Sequence, residues 1–285
     1  MPPQGPFSRV SRQIYKYWVQ NRHLRVVQDR TRGMRDILDA VASGDLSPAA
    51  AEAQLAGYAT TEAGRFDAAR ETRRGIPEAI LAEGKTPDEV ASMALAALET
   101  TGRALITRAD DDHVTAVTDD VPADATVDRD ERARTLVIRA PDFEPPDIDA
   151  RVAVVTAGTS DAAVGGEAAV LARAVGATVE RIDDVGVAHL GRIVDHLDTL
   201  RAADVVVVAA GREGALPTVV AGLIDTPVIG VPVSTGYGHG GDGEAAILGM
   251  LQSCTVLSVV NVDAGFTAGA QAGLVARAVA SAREE

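Results

Sequence analysis

The sequence has one cysteine, two lysines and no long apolar run in 285 residues. Each shortage removes a class of function. With Cys254 alone, no disulfide can form within the chain, and no cysteine cage for zinc can close. No stretch reaches the roughly 18 apolar residues that a membrane span requires. Arg9, Arg12 and Lys16 stand near the start, but no apolar segment or small-residue cleavage site follows them, so the expected address is the cytoplasm. Positive charge is also short: the formal net charge is −14, the wrong sign for gripping a nucleic-acid backbone. The lysines are Lys16 and Lys85, leaving 25 of the 27 cations as arginines. An acidic, lysine-poor, alanine-rich surface suits a salt-rich cytoplasm, where salt screens self-repulsion, and points to a halophilic source.

What is present divides into two halves with different patterning. Residues 1–26 are polar and aromatic, with Tyr15, Tyr17 and Trp18 close together, and read as an extension. Residues 27–140 read as a small α+β domain. Met34, Ile37, Leu38 and Val41 recur at helical spacing. Ser47-Pro48 and Thr86-Pro87 each supply an N-cap and a first-turn proline, for helices through Leu55 and to about Thr100. Arg103 to Arg108 and Arg134 to Arg139 read as strands. Residues 141–149, with three prolines and three carboxylates in Pro141–Asp147, read as a stiff, solvated linker.

From residue 150 to 285 the pattern changes. Val152–Val155, Val179–Ile182, Val205–Ala209, Val228–Val231 and Val256–Val260 are short apolar runs separated by segments of helical length. Such alternation predicts a parallel sheet covered on both faces, an α/β doubly wound domain of the flavodoxin-like kind. Ligands of that fold bind beyond the carboxyl ends of the strands. The loops there are Thr156-Ala157-Gly158-Thr159-Ser160-Asp161, Asp183-Asp184-Val185-Gly186-Val187, Ala210–Pro217, and Pro232–Gly243. Glycines let backbone N–H groups approach an anion, so a phosphate-bearing ligand is the natural occupant; the plain alternative is that the glycines serve tight turns. No phosphate loop with a lysine and no Gly-x-Gly-x-x-Gly follows the first strand, which removes ordinary kinases and dehydrogenases. Glu213 reads either as a first-turn carboxylate or as a general base aimed into the cleft. Cys254 reads as a small buried apolar residue or as a nucleophile. His239, between glycines, has three readings: loop residue, phosphate ligand or acid. His189 and His196 fall on a presumed helix.

The stretch Ala210–Val233, with Gly158-Thr159-Ser160-Asp161 before it and Asn261-Val262-Asp263 after it, resembles the aminoimidazole ribonucleotide carboxylases and mutases. A longer resemblance covers the chain from about residue 30 to the end. Asp184-Val185-Gly186-Val187-Ala188, Glu213-Gly214-Ala215-Leu216-Pro217, Gly236-Tyr237-Gly238 and Ser253-Cys254, with Arg73-Arg74-Gly75-Ile76-Pro77-Glu78 and Gly84-Lys85-Thr86-Pro87 before them, are similar to the LarB family. That family sets a smaller N-terminal domain before the carboxylase-like one.

The resemblance implies a reaction: nicotinic acid adenine dinucleotide and CO2 or bicarbonate give a pyridinium-3,5-dicarboxylate mononucleotide and AMP, a step toward a nickel-pincer cofactor. It assigns Cys254 as the thiolate that adds to the ring and Glu213 as the group that removes the ring proton. Asp161 and Asp184 are expected to hold ribose hydroxyls. Gly158, Thr159, Ser160, Gly214, Ser234, Tyr237 and Gly238 are expected to line the substrate site, with phosphates on Ser160, Ser234 and the glycines. Arg73, Arg74 and Lys85 are candidates for the carboxylate and phosphates. No metal cage and no prosthetic group is expected, although acidic groups near a pyrophosphate can share Mg2+ with the substrate. Ten residues of helix from near Gly243 span about 15 Å and carry Cys254 toward the far edge of its own sheet. Either that helix is shorter than this, or the cysteine serves a neighbouring subunit's site, which the octamer implied by the resemblance favours. The chain departs from the family pattern at Ala188-His189-Leu190-Gly191-Arg192, where glycine is expected at 189 and histidine at 191. Two rivals remain: a purine-pathway carboxylase or mutase, and a nucleotide-binding regulatory protein without chemistry.

Overall fold

A computed structural model describes residues 34–284. The extension expected over residues 1–26 lies outside the described residues. The chain divides into two compact units. The first comprises the described residues up to Arg73, Glu78–Arg129 and Leu136–Glu144; the second comprises Arg74–Pro77, Asp130–Thr135 and Pro145 onward.

The first unit is built as its capping signals predict. Helix α1 spans Met34–Ser43 and α2 spans Pro48–Ala56, with the Ser47 hydroxyl accepting from the Ala50 N–H and Gly57 closing the helix at φ 81°. Strands β1 (Ala59–Thr61) and β2 (Gly64–Phe66) form a hairpin, followed by the short helix α3 (Arg70–Arg74). Next come β3 (Ile80–Leu81), α4 (Pro87–Thr101), β4 (Arg103–Thr107), α5 (Asp111–Asp120), β5 (Thr126–Asp130) and β6 (Thr135–Arg139). Thr86 and Glu89 satisfy each other's backbone at the start of α4, and Gly102 ends it at φ 73°. The sheet order is β3-β4-β6-β5, with Val90, Ala94, Ala97 and Leu98 of α4 packed on Ile106, Leu136 and Ile138.

In the second unit, β7 (Arg151–Thr156), β8 (Thr178–Ile182), β9 (Val205–Ala210), β10 (Val228–Pro232) and β11 (Ser258–Val259) form one parallel sheet in the order β11-β10-β9-β7-β8. Helices α6 (Ala162–Ala174), α7 (Gly191–Val194), α8 (Leu197–Ala202), α9 (Ala215–Leu223), α10 (Glu244–Leu251) and α11 (Gly265–Glu284) connect or follow the strands. This is the doubly wound, flavodoxin-like α/β fold that the apolar runs predict. Strand alternation serves both faces: Val152, Val154, Val205 and Val207 join the α6/α11 core, while Ala153, Val155, Val206 and Val208 join the core with Ile193, Leu200, Leu216 and Met250. Glu167 of α6 is buried, and its Oε2 accepts the Phe266 N–H (3.0 Å) in the first turn of α11, where negative charge is favoured.

Two expectations need correction. The fifth strand is two residues long rather than the whole apolar run Val256–Val260, and Val256 is 92% exposed. At the sheet edge only β10 offers partners, and the register pairs just Ile229 with Ser258 and Gly230 with Val259. The segment between β8 and β9 is also not one helix; it is a 3-10 turn over Val187–His189 followed by α7 and α8. His189 therefore lies on an exposed turn, and His196 lies just before α8.

Candidate functional site

In this strand order, the direction of chain progression reverses between β7 and β9, so the loops after those two strands diverge and leave a crevice at the carboxyl edge. Asp161 sits at that point and is 3% exposed. Its Oδ2 accepts the Gly158 N–H (2.8 Å) and its Oδ1 accepts the Thr235 hydroxyl (3.2 Å); the Gly211 N–H donates to the same carboxylate. One side chain thereby ties together the loops after β7, β9 and β10.

The remaining loops are tied by similar devices. The Thr156 hydroxyl donates to Asp183 Oδ1 (3.0 Å) and accepts the Asp184 N–H (3.3 Å). Asp263 Oδ1 accepts the Ser234 N–H (2.9 Å), drawing the loop after β11 onto the loop after β10. The turn Val187–His189 packs against α9. Of the six non-glycine residues with positive φ among the described residues, four follow strands of this sheet: Asp184, Arg212, Asp242 and Asp263. Such backbone costs energy and concentrates where a site is shaped.

Burial pushes the Asp161 carboxyl above its ordinary value. The Gly158 N–H, Thr235 hydroxyl and Gly211 N–H act against that, and the nearby Asp263 carboxylate adds to it. A raised folded-state value means that the fold holds the proton more tightly than the unfolded chain does. The associated stability is fully present below the unfolded value of 3.8 and is lost as pH rises through the raised value. Asp161→Asn does not titrate, and its amide turns an NH2 toward donors. It is expected to lose about 1–3 kcal/mol. Its deficit against wild type should widen from neutral toward acid pH in urea titrations. A deficit that is constant with pH would show that the carboxyl does not titrate abnormally.

The other residues expected at the site are distributed as follows. Gly158, Thr159 and Ser160 lie with Asp161 on the β7–α6 loop, with Thr159 and Ser160 exposed. Asp184 is exposed beside Arg192, at 3.3 Å. Glu213 is exposed on the β9–α9 turn, and Gly214 beside it holds φ 65°. A Cβ on Gly214 would stand 2.5 Å from the Ala246 carbonyl oxygen, and one on Gly249 would stand 2.3 Å from the Glu213 carbonyl oxygen. Helix α10 thus clamps the Glu213 turn through two glycine contacts. Ser234, Tyr237 and Gly238 lie on the β10–α10 loop, with Tyr237 79% exposed and Gly238 at φ 86°. Arg74 belongs to the second unit, whereas Arg73 and Lys85 belong to the first. There Arg73 Nη2 meets Asp67 Oδ1 at 2.6 Å, and Lys85 Nζ donates to the Leu81 carbonyl at 2.6 Å.

Cys254 is exposed, which removes the reading of it as a buried apolar residue. Helix α10 begins at the loop edge and runs its eight residues, about 12 Å, toward the amino ends of the strands. Cys254 lies three residues beyond it, and Val256 then lines a cleft with Thr226 and Pro227, the residues that lead into β10. The thiol therefore lies past the end of α10, five residues beyond Gly249, whose backbone abuts the Glu213 carbonyl oxygen.

Thr235, Gly211 and Asp263 were not legible as loop ties. Thr235 and Gly211 stood within loops already singled out, but no local pattern says which hydroxyl or N–H meets a carboxylate 74 residues away. Among the described residues, no three His, Cys, Asp or Glu side chains gather as metal ligands, and no helix is long and apolar enough to cross a membrane.

Comparison with known proteins finds two domains in order. Residues 58–140 match the LarB/PurE-like N-terminal domain and residues 151–285 match AIR carboxylase. The chain is 36% identical over 256 residues to Uncharacterized protein MJ0165 of Methanocaldococcus jannaschii, a match covering 86% of this chain and 98% of that protein.

Proposed function

Because the chain belongs to the carboxylase-type, LarB-like family that sets this N-terminal domain before an AIR carboxylase-like domain, we propose that it carboxylates the pyridinium ring of nicotinic acid adenine dinucleotide and hydrolyses the phosphoanhydride. The products are pyridinium-3,5-dicarboxylate mononucleotide and AMP, precursors on the way to a nickel-pincer cofactor. The observation that carries this reading is the exposure of the chain's one thiol.

A pyridinium ring is electron-poor and does not attack CO2. Addition of the Cys254 thiolate to a ring carbon forms a C–S bond and turns the ring into a dihydropyridine, whose enamine carbon is nucleophilic. That carbon forms a C–C bond to CO2. Glu213 then takes the proton from the same carbon, the electron pair re-forms the aromatic ring, and the C–S bond breaks to return the thiolate. Water cleaves the phosphoanhydride in a separate step, and any Mg2+ enters with the substrate's pyrophosphate. In this reading Asp161 ties the cleft loops together in addition to any contact with ribose. Arg73, Arg74, Lys85 and Asp184 remain candidates for substrate contact.

Within one chain Cys254 follows the end of α10, and Glu213 lies on the turn that α10 clamps. By resemblance the reading includes a homo-oligomer, an octamer, in which the thiol of one subunit enters the site of another. It also places the reaction in the cytoplasm, where CO2, bicarbonate and the dinucleotide are at hand.

The test is mass spectrometry of products after incubation with the dinucleotide, bicarbonate and Mg2+ in high salt. A dicarboxylated mononucleotide with AMP supports the proposal. Consumption of aminoimidazole ribonucleotide instead, the reaction of the domain matched at residues 151–285, overturns it in favour of a purine carboxylase. Dinucleotide that binds without turnover identifies a regulatory protein.

A further inference from the structure

We propose that Arg212, held against the ring of Tyr237, takes a phosphate of the nucleotide substrate at the mouth of the β7–β9 crevice. This rests on the nucleotide reading above and deepens it.

Arg212 follows Gly211, whose N–H reaches the central Asp161 carboxylate, so it stands one residue from the middle of the site. Its backbone has φ 55°. The three other strained non-glycine residues of this edge are aspartates, which tolerate the left-handed region, whereas an arginine pays roughly 1–2 kcal/mol there. Arg108 and Arg134 adopt the same region elsewhere in the chain, so it is the place of Arg212 at the crevice, rather than its backbone, that singles it out.

The guanidinium lies 4.0 Å from the Tyr237 ring centroid. The chain has 41 acidic residues, yet among the described residues no carboxylate comes within ion-pair distance of Arg212. Some exposed arginines find one, as Arg73 does at Asp67, Arg129 at Asp111 and Arg283 at Asp204, whereas Arg65 lies over the Tyr58 ring much as Arg212 lies over Tyr237. What distinguishes Arg212 is its place beside Gly211 at the crevice. Stacking on a ring occupies the face of a guanidinium and leaves its edge N–H groups open, the geometry that accepts two oxygens of one oxyanion.

Charge says that an anion reaching this edge needs a cation, and the phosphates are the nucleotide's most strongly charged groups. A protein of net charge −14 repels a phosphate unless a cation stands at the site. Two other arginines reach this edge, Arg192 and Arg181, and each is paired there with a carboxylate, Asp184 and Asp183 respectively; Arg212 is set against a ring instead. Tyr237 is positioned to hold that cation without neutralising it. Its loop touches the Arg212 backbone at Gly236, where a Cβ would stand 3.7 Å from the Arg212 nitrogen, so the ring and guanidinium are set by neighbouring backbone.

The test is calorimetric titration of the full chain with AMP, adenosine and nicotinate. The variants are Arg212→Met, Arg212→Lys, Tyr237→Phe and Tyr237→Leu, each checked for fold by circular dichroism. Arg212→Met is expected to weaken AMP about tenfold or more and to leave adenosine unchanged. Arg212→Lys should recover part of that loss, Tyr237→Phe should bind as wild type does, and Tyr237→Leu should fall between. Unchanged AMP affinity in Arg212→Met, or no AMP binding by wild type, overturns the proposal. A loss confined to nicotinate overturns it too, because the guanidinium would then serve the ring carboxylate. The reaction itself is separable: arginine-dependent AMP binding without dicarboxylated product sinks the carboxylation reading alone. Product formed by Arg212→Met at the wild-type KM sinks the phosphate clasp alone.

Discussion

A one-to-one mixture of Cys254→Ala and Glu213→Gln subunits, dissociated and reassembled together, is expected to regain about a quarter of the wild-type rate. Each variant alone should be far slower: about a thousandfold or more for loss of the nucleophile, and about 10²–10⁴-fold for loss of the base. The expectation follows from the oligomer proposed above, in which the thiol that follows α10 enters a neighbouring subunit's site. If each site takes Glu213 from one subunit and Cys254 from another, random assembly leaves one site in four with both groups intact. Activity of the mixture equal to the mean of the two variants, in assemblies shown to be mixed by mass, would mean that no site draws on two chains. Full activity of Cys254→Ala by itself would remove the thiol from the mechanism altogether.

The second large effect runs against helix propensity. Gly249 lies inside α10, where alanine ordinarily stabilises by about 0.5–1 kcal/mol. Here the added Cβ would fall 2.3 Å from the Glu213 carbonyl oxygen, a backbone atom that cannot step aside without moving the turn. Gly249→Ala is therefore expected to destabilise by about 1–3 kcal/mol. It should also lower kcat by up to about 10²-fold, because the Glu213 carboxylate moves with its backbone. Gly222→Ala in α9 is the control: its Cβ would meet nothing nearer than Thr255 Cγ2 at 3.8 Å, so stability should hold or rise. Urea midpoints and initial rates of the two variants decide the matter. A Gly249→Ala protein as stable and active as wild type would show that α10 does not position the turn.

Much of the fold was legible because its signals are local. Ser47-Pro48 and Thr86-Pro87 mark helix starts through bonds that span three residues, and valine-rich runs of strand length mark β7, β9 and β10 whatever they pair with. Legibility failed at the edge. Val256–Val260 has the composition of a strand, but strand formation needs a partner, and the register with β10 admits only Ser258 and Val259. The segment from Val187 to Ala202 failed for a related reason: its helical length says nothing of the break at His189–Gly191, where a Cβ at 191 would stand 2.7 Å from the His189 ring.

For the site, the sequence alone determined which loops matter, because alternation of apolar strands with helices implies a parallel sheet with loops at its carboxyl edge. It also determined the groups on offer: one thiol, a carboxylate in a glycine-rich turn, and glycines at the carboxyl edge. Tertiary structure decided which of these meet. The order β11-β10-β9-β7-β8 sets the crevice between β7 and β9, and only there can Asp161 gather Gly158, Gly211 and Thr235. The pairing of Arg212 with Tyr237, and the clamp of α10 on the Glu213 turn through Gly214 and Gly249, are likewise properties of packing. The reason is that caps and strand runs are written in bonds between near neighbours, whereas the meeting of loops depends on strand order, which no short stretch of sequence contains.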